Sequence, residues 1–168
     1  MRVFALSSPI LALVLHLGSS AQEASPQEKA TPGPTAEPLT DETLSTLLEN
    51  LGYEHRKLNK GYLVVVKQDT WTINTQIVLS PNKSRLGFNA NLGSVENPQA
   101  VSAAQWMDLL VSNGDIDPSL FYFDKEKKKL YLHRTILNFG VTAAVLKKEL
   151  DFFMSDIRKT ESLWKFTK

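Results

Sequence analysis

Between Trp71 and Ser80 the chain keeps strict alternation: Trp71, Ile73, Thr75, Ile77 and Leu79 on one side, Thr72, Asn74, Gln76, Val78 and Ser80 on the other. Successive side chains of a strand point to opposite faces, so this period of two describes a strand buried on one face and wet on the other. Leu86, Phe88, Ala90 and Leu92 alternate in the same way against Arg85, Gly87, Asn89 and Asn91. A third apolar run, Tyr62 to Lys67, precedes them. The joints Gln68-Asp69-Thr70 and Pro81-Asn82-Lys83-Ser84 are too short for a crossover, so the three strands are expected to pair as an antiparallel meander. A sheet that is apolar on one side only needs a cover on that side.

The flanking segments can supply the cover. Thr40 can cap a helix in which Leu44, Leu47, Leu48 and Leu51 recur at i, i+3, i+4 and i+7, and Gly52 can end it. Tyr53 to Lys57 reads as a short edge strand. Pro98 follows Asn97 as a first-turn proline follows a cap. It predicts a second helix with a stripe of Val101, Ala104 and Met107, joined by Trp106 and Leu110 and stopped by Asn113-Gly114. Leu120–Phe123 and Leu130–Ile136 form a hairpin that Asn138-Phe139-Gly140 ends. Thr142 caps a long third helix that aligns Leu146, Leu150, Phe153, Ile157 and Trp164. The expected fold is α+β, an antiparallel sheet with helices packed mainly on one face, in the order αβββαββα.

The N-terminal residues predict export. Arg2, an apolar run from Val3 to Leu17 and the small residues Gly18-Ser19-Ser20-Ala21 have the layout of a cleaved signal peptide over residues 1–21. The run is shorter than the roughly 20 residues of a spanning helix, so a periplasmic or secreted protein without stable membrane insertion is expected. Residues 22–39 carry prolines at 26, 32, 34 and 38 among Ala, Glu, Gln and Thr, the composition of a disordered spacer. One domain remains, residues 40–168. With no cysteine in the chain, its core must hold without disulfides.

Several classes of function lose support. Loss of Arg2 with the leader leaves 18 basic against 18 acidic side chains, whereas nucleic-acid binders carry a basic excess. His55 and His133 fall on different strands with no nucleophile or orienting acid placed beside either, so neither is read as a catalytic base. Asp115-Ile116-Asp117 starts like a calcium loop but lacks its continuation and reads as a turn. No catalytic residue, metal ligand or cofactor is assigned. Lys125, Lys127, Lys128 and Lys129, interspersed with Asp124 and Glu126, read as the solvated tip of the hairpin.

The segments LLENLGY at 47–53, FNANLGSV at 88–95, LFYFDKEKKKLYLHRTIL at 120–137 and GVTAAVLKKELDFFMSDIRKTESLW at 140–164 together resemble YbjN-type domains, linked to bacterial sensory-transduction regulation, and the class I type III secretion chaperones related to them in fold. The resemblance covers about residues 42 to 166. It implies a non-enzymatic, regulator- or chaperone-like module, often a homodimer, that binds a polypeptide on an apolar surface or a sheet edge. Secretion chaperones work in the cytosol, and the leader and spacer favour the regulator-like branch instead. Trp71, Trp106, Phe121 and Trp164 are the candidate partner-binding residues, because partly exposed aromatic anchors concentrate binding energy. A small envelope hydrolase or ligand-binding enzyme, with a site assembled in space around His133, is the competing expectation.

Overall fold

The computed structural model describes residues 37–168; the leader and residues 22–36 of the spacer lie outside the described residues. Six antiparallel strands form one sheet in the order β1-β2-β3-β4-β6-β5. They are β1 (Glu54–Lys57), β2 (Tyr62–Gln68), β3 (Trp71–Leu79), β4 (Arg85–Ser94), β5 (Ser119–Asp124) and β6 (Lys129–Leu137). The helices are α1 (Asp41–Asn50), α2 (Ala103–Ser112), α3 (Ala143–Lys159) and a single turn, α4 (Glu161–Trp164). The short edge strand is β1, so four strands precede α2. The chain then crosses over α2 to the far edge as β5 and returns as β6, which inserts between β5 and β4.

The alternation of β3 sets the register. Thr75 and Ile77 stand opposite Val64 and Tyr62 on β2, and opposite Ala90 and Phe88 on β4. All six are buried. They form the covered face together with Leu86, Leu132 and Phe121, against Leu44 and Leu48 of α1 and Leu146, Leu150, Phe153 and Ile157 of α3. The opposite face carries Thr72, Asn74, Asn89, Asn91 and His133, which are exposed or half-buried. The turn from β1 to β2 depends on Gly61, whose φ is +70° and where a Cβ would collide with the Ile77 carbonyl oxygen.

Local chemistry fixes the helix starts. Thr40 accepts from the Thr43 N–H, and the Thr43 hydroxyl accepts from the Thr40 N–H, closing a capping box. Leu39, just before this cap, is buried. The Asn138 side chain clamps it, accepting from the Leu39 N–H at 3.1 Å and donating to the Leu39 carbonyl at 3.0 Å. Thr142 caps α3 through the Val145 N–H.

Two helices depart from expectation. Pro98 starts only a 3-10 turn, Pro98–Ala100, while α2 begins after Ser102, whose hydroxyl accepts from the Gln105 N–H in a capping box. Leu109 and Ser112 face the core and Met107, Leu110 and Val111 are exposed, so the expected stripe is displaced. Trp164 does not extend the stripe of α3. The Thr160 hydroxyl donates back to the Asp156 carbonyl at 2.7 Å and the helix stops, so Trp164 sits on α4 after the break.

Candidate functional site

The two sheet edges differ in chemistry. β1 is four residues long, Glu54-His55-Arg56-Lys57, and Glu54 pairs with Lys67 of β2 at 2.8 Å. Short, charged edges resist pairing with another chain. β5 at the other edge reads Ser-Leu-Phe-Tyr-Phe-Asp. Its Phe121 and Phe123 face the helix layer, and Leu120 and Tyr122, each 40% exposed, face the open side. Beside it lies the outer surface of α2, where Met107, Leu110 and Val111 are 57%, 61% and 66% exposed.

Between α2 and β5 runs a groove of about 310 Å³. Trp106 and Leu110 form one wall, Phe121, Tyr122 and Phe123 the other, and Leu109 and Leu130 the floor. The Trp106 ring is held at 5.4 Å from Phe123 and 5.8 Å from Phe166, centroid to centroid, with its Nε1–H directed at the Pro98 carbonyl at 3.4 Å.

The backbone at this edge is already partly occupied. The Ser119 N–H donates to the Ile116 carbonyl and the Phe121 N–H donates to Asn113 Oδ1, both at 2.7 Å. Ladder alternation turns the Phe123 N–H outward as well. A strand added along β5 would therefore find its first two donors engaged.

A buried ionic cluster fixes β5 and β6 from beneath. Arg134, 6% exposed, donates from Nε and Nη2 to Glu149 Oε2 of α3 at 2.9 and 2.7 Å, and its Nη1 reaches Asp156 Oδ2 at 3.5 Å. Ser119 Oγ, at the start of β5, donates to the same Asp156 oxygen at 2.7 Å. The Arg134 guanidinium also lies 5.7 Å from the Phe152 ring centre.

The four aromatic candidates separate into two pairs. Trp106 and Phe121 both line the groove. Trp71 and Trp164 meet each other edge to face at 6.4 Å and pack against the core. Met107 and Leu110, read from the sequence as part of the inward stripe of the second helix, lie instead with Val111 on its exposed side.

The histidines are placed differently. His55 is half-buried on the covered face, its Nε2 3.1 Å from Ser45 Oγ and its Nδ1 3.1 Å from the Tyr53 carbonyl oxygen. His133 lies on the open face with Nδ1 at 2.7 Å from Asn89 Oδ1 and Nε2 at 2.6 Å from Thr135 Oγ1. Burial, opposed by a smaller hydrogen-bond contribution from Phe88, lowers its pKa. Both ring nitrogens are engaged by neutral groups, an amide and a hydroxyl. Next to it Tyr122 and Tyr131 stack at 5.1 Å. Burial pushes the Tyr122 hydroxyl pKa up, with a lesser push from Tyr131. The lysine run is a hairpin tip. Asp124 Oδ1 accepts from the Glu126 and Lys127 N–H groups and Asp124 Oδ2 pairs with Lys127 Nζ at 3.0 Å, which together hold the Asp124 carboxyl below the usual range. Among the described residues no helix is long and apolar enough to cross a membrane.

No family model matches the chain, and no curated protein matches it in sequence. Solved structures share its fold. A chain of the ExsC–ExsE complex superposes with a TM-score of 0.54 at 16% identity, covering 74% of this chain and 92% of the other. A chain of the HopA1–SchA chaperone–effector complex gives 0.51 at 13% identity, covering 73% and 97%. YbjN from E. coli, described as a proposed transcription regulator, gives 0.51 at 17% identity, covering 73% and 89%. The fold is that of YbjN and the type III secretion chaperones, an antiparallel sheet covered by helices.

Proposed function

We propose that this domain is a non-enzymatic polypeptide-binding module of regulator- or chaperone-like type, exported by its leader and working in the cell envelope. The observation that carries the reading is the exposed apolar surface of α2 beside the groove along β5. Fully burying a large apolar side chain is worth about 1.5–3 kcal/mol. Met107, Leu110 and Val111 retain more than half of their exposure, so covering them recovers a substantial part of that. The engaged donors of Ser119 and Phe121 favour a partner that seats side chains in the groove over one that adds a strand. Fold-sharing with a chain of a chaperone–effector complex agrees with a protein partner.

The module is further proposed to be a homodimer. Leu137 and Phe139, 66% and 62% exposed, lie outside the groove lining and give a second copy a place to meet without blocking it. Light scattering on the protein tests this, with a monomer mass at micromolar concentration as the contrary result.

A photo-crosslinking residue at position 110 tests the main reading, with the same residue at Phe152 of α3 as the control. The expected result is a polypeptide adduct from position 110, absent from position 152 and lost in a Met107→Asp background. Equal labelling from both positions contradicts the reading.

A further inference from the structure

The groove is lined by apolar and aromatic residues alone, and charged segments of opposite sign continue from the two ends of β5. At the end where Phe123 stands opposite Leu130, the chain continues directly into the tip Asp124–Lys129, which carries four lysines against Asp124 and Glu126. Lys127 is paired with Asp124. Among the described residues no carboxylate lies within 4.0 Å of Lys125, Lys128 or Lys129. The Val95 N–H donates to the Lys128 carbonyl at 2.8 Å, which holds the tip against the end of β4. At the other end, exposed Asp115 and Asp117 lead into β5. The two ends are roughly 20 Å apart at the rise of an extended strand. Asp108, the only charged residue of α2, falls about 160° around the helix from Leu110 and so leaves the groove wall uncharged.

Building on the polypeptide-binding reading, we infer that the groove takes a short amphipathic segment in one orientation, with apolar side chains between α2 and β5 and carboxylates over the lysine tip. The apolar groove supplies attraction of either polarity. The end charges choose between polarities, because a reversed segment sets its acids beside Asp115 and Asp117. Placing charges to reject the wrong arrangement is a common source of specificity. A solvated tip needs no groove beside it; the groove gives the lysine run a task.

Phage-displayed random dodecapeptides selected on the full chain test this. The expected binders combine two or three apolar residues with an acidic cluster at one end, and they are lost on Leu110→Asp. With Lys125 and Lys128 both changed to Glu, their affinity falls about fivefold, the combined scale of two exposed ion pairs. The loss shrinks in high salt, and reselection on the variant yields basic peptides. Binders that need Leu110 but show no acidic bias overturn the inference and leave the polypeptide-binding reading standing. Failure to obtain any binder sensitive to Leu110→Asp overturns both. If the lysine changes abolish cosedimentation with phosphatidylglycerol vesicles and leave peptide selection unaltered, the tip serves a membrane surface and the inference fails.

Discussion

Replacing Arg134 by Met isolates the interaction that holds the binding edge in place. Arg134 has 8% of its side chain exposed, and its partners Glu149 and Asp156 have 18% and 11%. Methionine keeps much of the volume and removes the charge. Two carboxylates are then left in a poorly solvated site, with only Ser119 still donating to one of them. Removing one partner of a buried pair costs about 3–5 kcal/mol, chiefly because the other charge is stranded, and that is a large share of the roughly 5–15 kcal/mol that stabilises a typical domain. Urea unfolding followed by tryptophan fluorescence measures the loss. If stranded charge is the cause, adding Glu149→Gln and Asp156→Asn to Arg134→Met restores at least about half of it. If lost packing is the cause, the added changes restore nothing. A cost below about 1 kcal/mol for Arg134→Met, or a further loss on neutralising the carboxylates, refutes the reasoning.

The other predictions concern a turn and a histidine. Gly61→Ala forces a methyl group into the Ile77 carbonyl, whereas Gly52 has a similar φ of +73° with nothing within 4 Å. The first change is expected to cost more than about 3 kcal/mol and the second about 1–2 kcal/mol, and equal losses in urea unfolding contradict the steric argument. His133 has its pKa lowered by burial, so the unfolded chain takes up a proton before the folded one does. Stability is therefore flat above the ordinary value of about 6.5 and falls as pH drops from there through the lowered folded value. An NMR titration is expected to place the ring below 6.5, and His133→Asn should remove this part of the pH dependence. A ring that titrates at 6.5 or above refutes it.

How much of this was legible in the chain depended on whether the pattern had contrast. β3 and β4 alternate without interruption, and α3 sets Leu146, Leu150, Phe153 and Ile157 on one side, so their inward faces can be read directly; the β4 and α3 residues are buried, as are Thr75 and Ile77 of β3, while Trp71, Ile73 and Leu79 are half-buried against the core. The second helix lacked contrast. Trp106, Met107, Leu109, Leu110 and Val111 surround it with apolar residues, and periodicity alone cannot choose which of them meets the core. Asn97-Pro98 places the expected start too early, and the inward side is set by packing of Leu109 and Ser112 against the core. That single displacement hid the outer patch of Met107, Leu110 and Val111, the feature on which the proposed site depends. The groove itself was not readable, since it forms only when β6 inserts between β4 and β5 and carries β5 to the edge beside α2. Trp106 and Phe121 stand out in the sequence as large aromatics, but their convergence on one groove, and that of Trp71 and Trp164 elsewhere, follows from packing between elements distant in the chain.

The most direct test of the account is a backbone amide and indole NMR map of the isotope-labelled chain titrated with a dodecapeptide selected on it. Changes are expected at Leu110, Tyr122 and Phe123 and at the Trp106 indole, with Glu54–Lys57 on the opposite edge unmoved. Shifts that centre on β1, or on Asn89 and His133 of the open face with α2 unchanged, would contradict it.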